Sequence, residues 1–264
     1  MLVAYAFAKS WTESLVTVAH EGGHMATLAL TGRGHRGFTL EEGKDYEGNA
    51  ATDGATRPID SSFGVTWWLC VFSGYATPPL AGLAGAHALA DGNGWGVLWA
   101  GIVLLTVALL WANNGFARAV TALGLAIVLW VAIAGGPRTQ AATAFALVWL
   151  LLIGGVAQAI GHRGGSDGQK MASSTWIPSF VWWAAWSAIA LLCLWSGGRL
   201  LLRHSHRFIQ RDLNRTSASL GKISSPRSIY QNLAHQPSRD AKKVCASFPL
   251  NFALVHQPYV CLID

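Results

Sequence analysis

The chain has 264 residues and a net charge of +6, with 12% of residues charged against 52% apolar. Soluble domains carry about 25% charged residues, and charges this sparse cannot cover the surface of a 28 kDa globule. The composition excludes a disordered chain, a coiled coil and a collagen-like repeat, and it fits a soluble enzyme poorly. Four cysteines with no CxxC spacing give no disulfide framework. A mean hydropathy of +0.35 and 13 Trp point to a protein that crosses a membrane.

Six apolar runs follow one another, at residues 10–31, 63–90, 95–112, 116–134, 141–160 and 177–202. At about 1.5 Å per residue each can cross roughly 30 Å of hydrocarbon. The expected fold is an all-α membrane protein, a polytopic bundle of about six transmembrane helices. Trp67, Trp68, Trp95, Trp111, Trp149, Trp176 and Trp195 stand near the ends of these runs and suit aromatic belts. Trp130 and Trp186 read as fillers of helix contacts. Residues 1–8 are apolar but lack a basic start, so no cleaved leader is expected.

Two polar stretches flank the runs. Residues 32–62 form a Gly- and charge-rich loop after the first helix, with strand-like pieces around residues 37–40. Residues 203–264 carry nine Lys and Arg against three Asp, without sustained periodicity. This basic tail is expected to be disordered; Arg203, Arg207, Arg211 and Arg215 suit an anionic lipid surface or a solvated flank. The domain division expected is 1–203 for the membrane domain and 204–264 for the tail.

Chemistry concentrates at His20-Glu21-Gly22-Gly23-His24, an HExxH motif inside the first apolar run. At spacing i, i+4 the imidazoles share one helix face and can hold a single Zn²⁺. Glu21 stands beside them, placed to take a proton from a water that the ion activates. Three ionisable groups inside a membrane helix are costly, and a divalent cation compensates them. The alternative is that they hydrogen-bond between helices as polar glue.

The chain resembles the site-2 protease family of intramembrane zinc metallopeptidases, in particular its small bacterial members. The likeness rests on Val18-Ala19-His20-Glu21-Gly22-Gly23-His24, the Gly-rich loop that follows, Ser73-Gly74-Tyr75-Ala76-Thr77-Pro78-Pro79, and Ser166-Asp167-Gly168. It covers roughly residues 12–202. The resemblance implies that Asp167 is the third zinc ligand, and that a hairpin-like element after the HExxH helix meets substrate, here residues 37–40. Counting crossings, the loops after the first and fifth runs lie on one side of the membrane, which lets Asp167 approach His24. That count requires Pro78-Pro79 to kink a continuing helix rather than turn it back. Asp167 or Ser166 as a helix N-cap is the alternative. His162 and His87 are rival ligands; His204 and His206 read as solvated residues of the tail.

Gly32-Arg33-Gly34-His35-Arg36-Gly37 fits GxGxxG, but that dinucleotide motif needs a strand before it and a helix after it. No nucleotide or nucleic-acid partner is expected. The function expected is an intramembrane zinc metalloendopeptidase in the plasma membrane of a bacterium, with transmembrane protein segments as substrates and the lipid bilayer as its surroundings. The alternatives are a non-catalytic membrane scaffold that keeps the fold, and a proton-coupled transporter using His20, Glu21 and Asp167. Basic residues balance on the two sides, so the positive-inside rule assigns no orientation.

Overall fold

A computed structural model describes residues 2–44, 50–59, 64–161 and 165–223. In chain order these form α1 (Leu2–Leu30), β1 (His35–Lys44), β2 (Ala50–Pro58), α2 (Val65–Ala90), α3 (Gly94–Trp111), α4 (Gly115–Ala134), α5 (Pro137–Gly161), α6 (Gly165–Thr175) and α7 (Ser179–Ile223). The protein is therefore mostly helical. Among the described residues, four stretches are long and apolar enough to cross a membrane: α3, α4, α5 and Ser179–Arg203 of α7. The other two expected spans form helices too, but α1 and α2 fall short of that mark. Lys9, Glu13, His20, Glu21 and His24 dilute α1, and small and polar residues dilute α2.

Three further differences from the sequence reading have local causes. The loop after α1 is an antiparallel hairpin, in which Leu40 pairs Gly54 and Phe38 pairs Thr56. Alternating Phe38 and Leu40 are fully buried, which fixes the strand's inner face. The stretch between α5 and α7 contains the additional helix α6. The last helix continues past residue 202 to Ile223, so part of the expected tail is helical; residues 224–264 lie outside the described residues. Residues up to Phe208 form one compact unit.

Both prolines of α2 lie inside one continuous helix. Neither can donate a backbone N–H, so Gly74 and Tyr75 receive no helical hydrogen bond from them. Pro79 packs where α5 presents Gly155, whose added Cβ would sit 2.8 Å from the ring. Leu152 of α5 fills the space opposite Gly82 of α2 and Gly197 of α7. Around it, Ala86, Leu98, Val128, Val148 and Leu201 form a core shared by α2, α3, α4, α5 and α7.

A second cluster joins Val18 and Met25 of α1 to Phe38, Leu40, Ala108 and Val120, and so seats β1 against α3 and α4. Asn114 locks that seat. Its Oδ1 accepts the N–H of Ala117 at 3.1 Å, capping α4, and the N–H of Leu40 at 3.3 Å; its Nδ2 donates to Leu40 O at 2.5 Å. Asn113 N–H donates to Phe38 O at 2.8 Å. Trp186 is buried as expected, whereas Trp130 is two-thirds exposed.

Candidate active site

One face of α1 carries Ser14, Thr17, His20, Glu21 and His24 at helical spacing, and all five are buried. Burial of so many polar side chains requires partners. β2 supplies several. Ser14 Oγ and Thr52 Oγ1 lie 2.8 Å apart, and Thr56 donates its hydroxyl to Glu21 Oε2. Between them Gly54 lies against Glu21 Oε1, so close that any side chain there would collide with the carboxylate.

α2 supports the histidines from the other side. His24 Nδ1–H donates to Cys70 O at 2.7 Å, and the Ser73 hydroxyl donates to the same carbonyl at 2.6 Å. With its proton on Nδ1, His24 directs the Nε2 lone pair inward. The His20 ring meets Tyr75 edge-on, with centroids 4.5 Å apart, and Tyr75 in turn packs on Trp186. Gly74 is the point of closest approach: a Cβ there would lie 2.5 Å from His24 Nε2 and 2.7 Å from His20 Nε2.

Asp167 comes from the first turn of α6 and is 6% exposed. Its Oδ2 lies 3.2 Å from both His20 Nε2 and His24 Nε2, which are 3.1 Å from each other. Burial raises the Asp167 carboxyl pKa. When protons rather than an ion hold the cluster together, hydrogen bonds from His20 and then His24 outweigh that and hold it well below the ordinary carboxylate range. Lys170 Nζ donates to the other oxygen, Oδ1, at 2.9 Å. The donor atoms of His20, Glu21 and His24 also lie within 4.8 Å of one another. The cluster lines a cavity of about 170 Å³, together with Gln158 of α5 and strand β2.

The sequence-predicted residues His20, Glu21, His24 and Asp167 are thus brought together. Although Asp167 lies in the first turn of its helix, its carboxylate faces the imidazoles and Lys170. His87 is exposed about 20 Å along α2 from Gly74 and is not brought in. His162 lies outside the described residues, as do the side chains of His204 and His206. The strand at the cavity is β2, not residues 37–40 of β1. The outer edge of β1 is taken by Ala112 and Asn113.

The donor set fits a zinc ion. A tetrahedral ion with bonds of about 2.0–2.1 Å spaces its ligands about 3.3–3.4 Å apart, close to the triangle of Nε2, Nε2 and Oδ2. Three basic atoms facing one another are stable only with a cation or proton between them. His20 Nδ1 is buried without a hydrogen-bond partner among the described residues, so no protein group there fixes that ring's tautomer.

A buried pair of histidines one helical turn apart, a glutamate between them in sequence and an apolar helical frame define a membrane metallopeptidase class. Residues 1–197 match the family model described as Peptidase M50B-like. The chain belongs to this family, which is the site-2 protease family, whose M50 peptidases depend on zinc. Neither the comparison with curated proteins nor that with solved structures gives a match.

Proposed function

We propose that the protein is an intramembrane zinc endopeptidase that hydrolyses peptide bonds in transmembrane or membrane-proximal segments of protein substrates. The observation that carries this reading is the meeting of His20 Nε2, His24 Nε2 and Asp167 Oδ2 beside Glu21 at a cavity. His20, His24 and Asp167 would hold the ion. Zinc, when bound, supplies Lewis-acid polarisation of the scissile carbonyl and of the attacking water.

The chain's own residues do the rest. Glu21 takes the water's proton at its carboxylate and returns it to the leaving amine. Thr56 holds one oxygen of that carboxylate and so fixes the plane of the base. Cys70 O keeps the His24 proton on Nδ1. A substrate helix must unwind first, because helical carbonyls are already hydrogen-bonded and covered. β2, lying along the cavity, is the strand placed to pair with the extended segment. The four apolar helices support a multi-pass arrangement, and the resemblance to compact bacterial members supports the plasma membrane of a bacterium.

The test uses the full chain in proteoliposomes with a transmembrane substrate. Wild type is expected to hold about one zinc per chain. Glu21→Gln should keep the zinc and lose cleavage, whereas Asp167→Ala should lose both. Undiminished cleavage by Glu21→Gln would sink the mechanism. A zinc-free wild type would leave a non-catalytic scaffold as the better reading.

A further inference from the structure

We infer that Lys170 keeps Asp167 a one-oxygen ligand, so that a coordination position stays open for substrate and water. The inference rests on the zinc reading of the site. A carboxylate offers two donor oxygens, and an unrestrained aspartate can turn to present both. A catalytic zinc needs three protein ligands and one open position, which a two-oxygen aspartate would fill.

The geometry assigns the two oxygens different partners. Oδ2 faces both imidazoles at 3.2 Å, and Oδ1 receives the Lys170 ammonium at 2.9 Å. Asp167 and Lys170 are three residues apart on α6 and therefore share a face. The lysine side chain is half exposed and reaches in from the cavity rim. Its positive charge also repels a dication, so Oδ1 is guarded both by a hydrogen bond and by like charge.

Seating of α6 does not depend on this pair. Met171 is 1% exposed and packs with Tyr75, Ala159 and Trp186, and the Thr175 hydroxyl donates to Met171 O at 2.6 Å. An ordinary surface pair on a helix contributes little and would leave metal binding untouched. Lys170 is thus a positioning residue that acts through Asp167.

The test loads the full chain in detergent with Co²⁺, whose visible absorption weakens as coordination rises above four. Lys170→Met should weaken the absorption and tighten cobalt binding on the order of tenfold, since it removes a like charge and frees a donor. It should also lower kcat for cleavage by the zinc form, and Lys170→Arg should restore the wild-type spectrum. Cobalt binding equal to or looser than wild type, with an unchanged spectrum, overturns the inference. So does a Lys170→Met protein that loses its helical fold, which would make the pair a structural strut. A wild type that takes up no cobalt breaks the peptidase reading itself, a separate outcome.

Discussion

α1 and α2 meet in a different way from α3, α4, α5 and α7. Where α1 and α2 approach, a Cβ on Gly23 would collide with Ser73 O and the Thr77 side chain, and one on Gly74 would collide with both imidazoles. Polar side chains there find particular partners, such as Cys70 O for His24 and Thr56 for Glu21. The other helices meet through Ala, Val, Leu and Ile, and leave Leu104, Leu110, Ile133 and Leu192 outward. Apolar packing tolerates exchange at conserved volume, whereas a polar cluster loses its purpose when one atom is displaced. Under the proposed function the first region therefore sets chemistry and the second sets stability.

The sharpest way to break that division is Gly74→Ala. One methyl group would push against both Nε2 atoms, so zinc affinity should fall on the order of 100-fold and cleavage with it. Helicity should not suffer, because alanine gains about 1 kcal/mol of helix propensity over glycine. Zinc titration beside a thermal melt reads both; a lower melting temperature with zinc affinity intact would reverse the assignment. Leu152→Ala is the mirror experiment. This side chain is fully buried between Gly82 and Gly197, and its loss should cost about 2–5 kcal/mol of unfolding free energy. Zinc content per folded chain should stay at the wild-type value, and a matching loss of zinc would show that the two regions are coupled.

The smallest expected effect tests the edge between them. Thr56→Val removes the hydroxyl that holds Glu21, and a lost hydrogen bond of about 1–1.5 kcal/mol corresponds to roughly tenfold in kcat. KM and zinc content should hold, and Thr56→Ser should restore the rate. Equal losses in the valine and serine variants would mean that the threonine serves packing alone.

Much of the helical frame was legible because apolar runs bounded by polar breaks mark their own ends. His20, Glu21 and His24 were legible because one helix turn carries all three. Asp167 is legible through resemblance, with the count of crossings in support, since its short Ser-Asp-Gly segment also reads as a helix cap. The supporting residues stayed hidden for a physical reason. Cys70 acts through its carbonyl, which any residue type would offer, and Gly54 and Gly74 matter by lacking a side chain at contacts between distant segments. That β2 rather than β1 lines the cavity is hidden on the same ground. Residues 37–40 suit a strand, but Asn113 and Asn114 lie far along the chain, and only the folded arrangement shows that they cover β1.

Asp167 lies 147 residues after His20. During synthesis the HExxH helix is made before the hairpin and before five more helices, the last of which carries Asp167. Until Asp167 arrives, the nascent chain has His20, Glu21 and His24 without the carboxylate that meets both imidazoles. Under the proposed function a half-made chain thus lacks the complete ligand set, and order of synthesis would separate making the first helices from the capacity to cut neighbouring proteins.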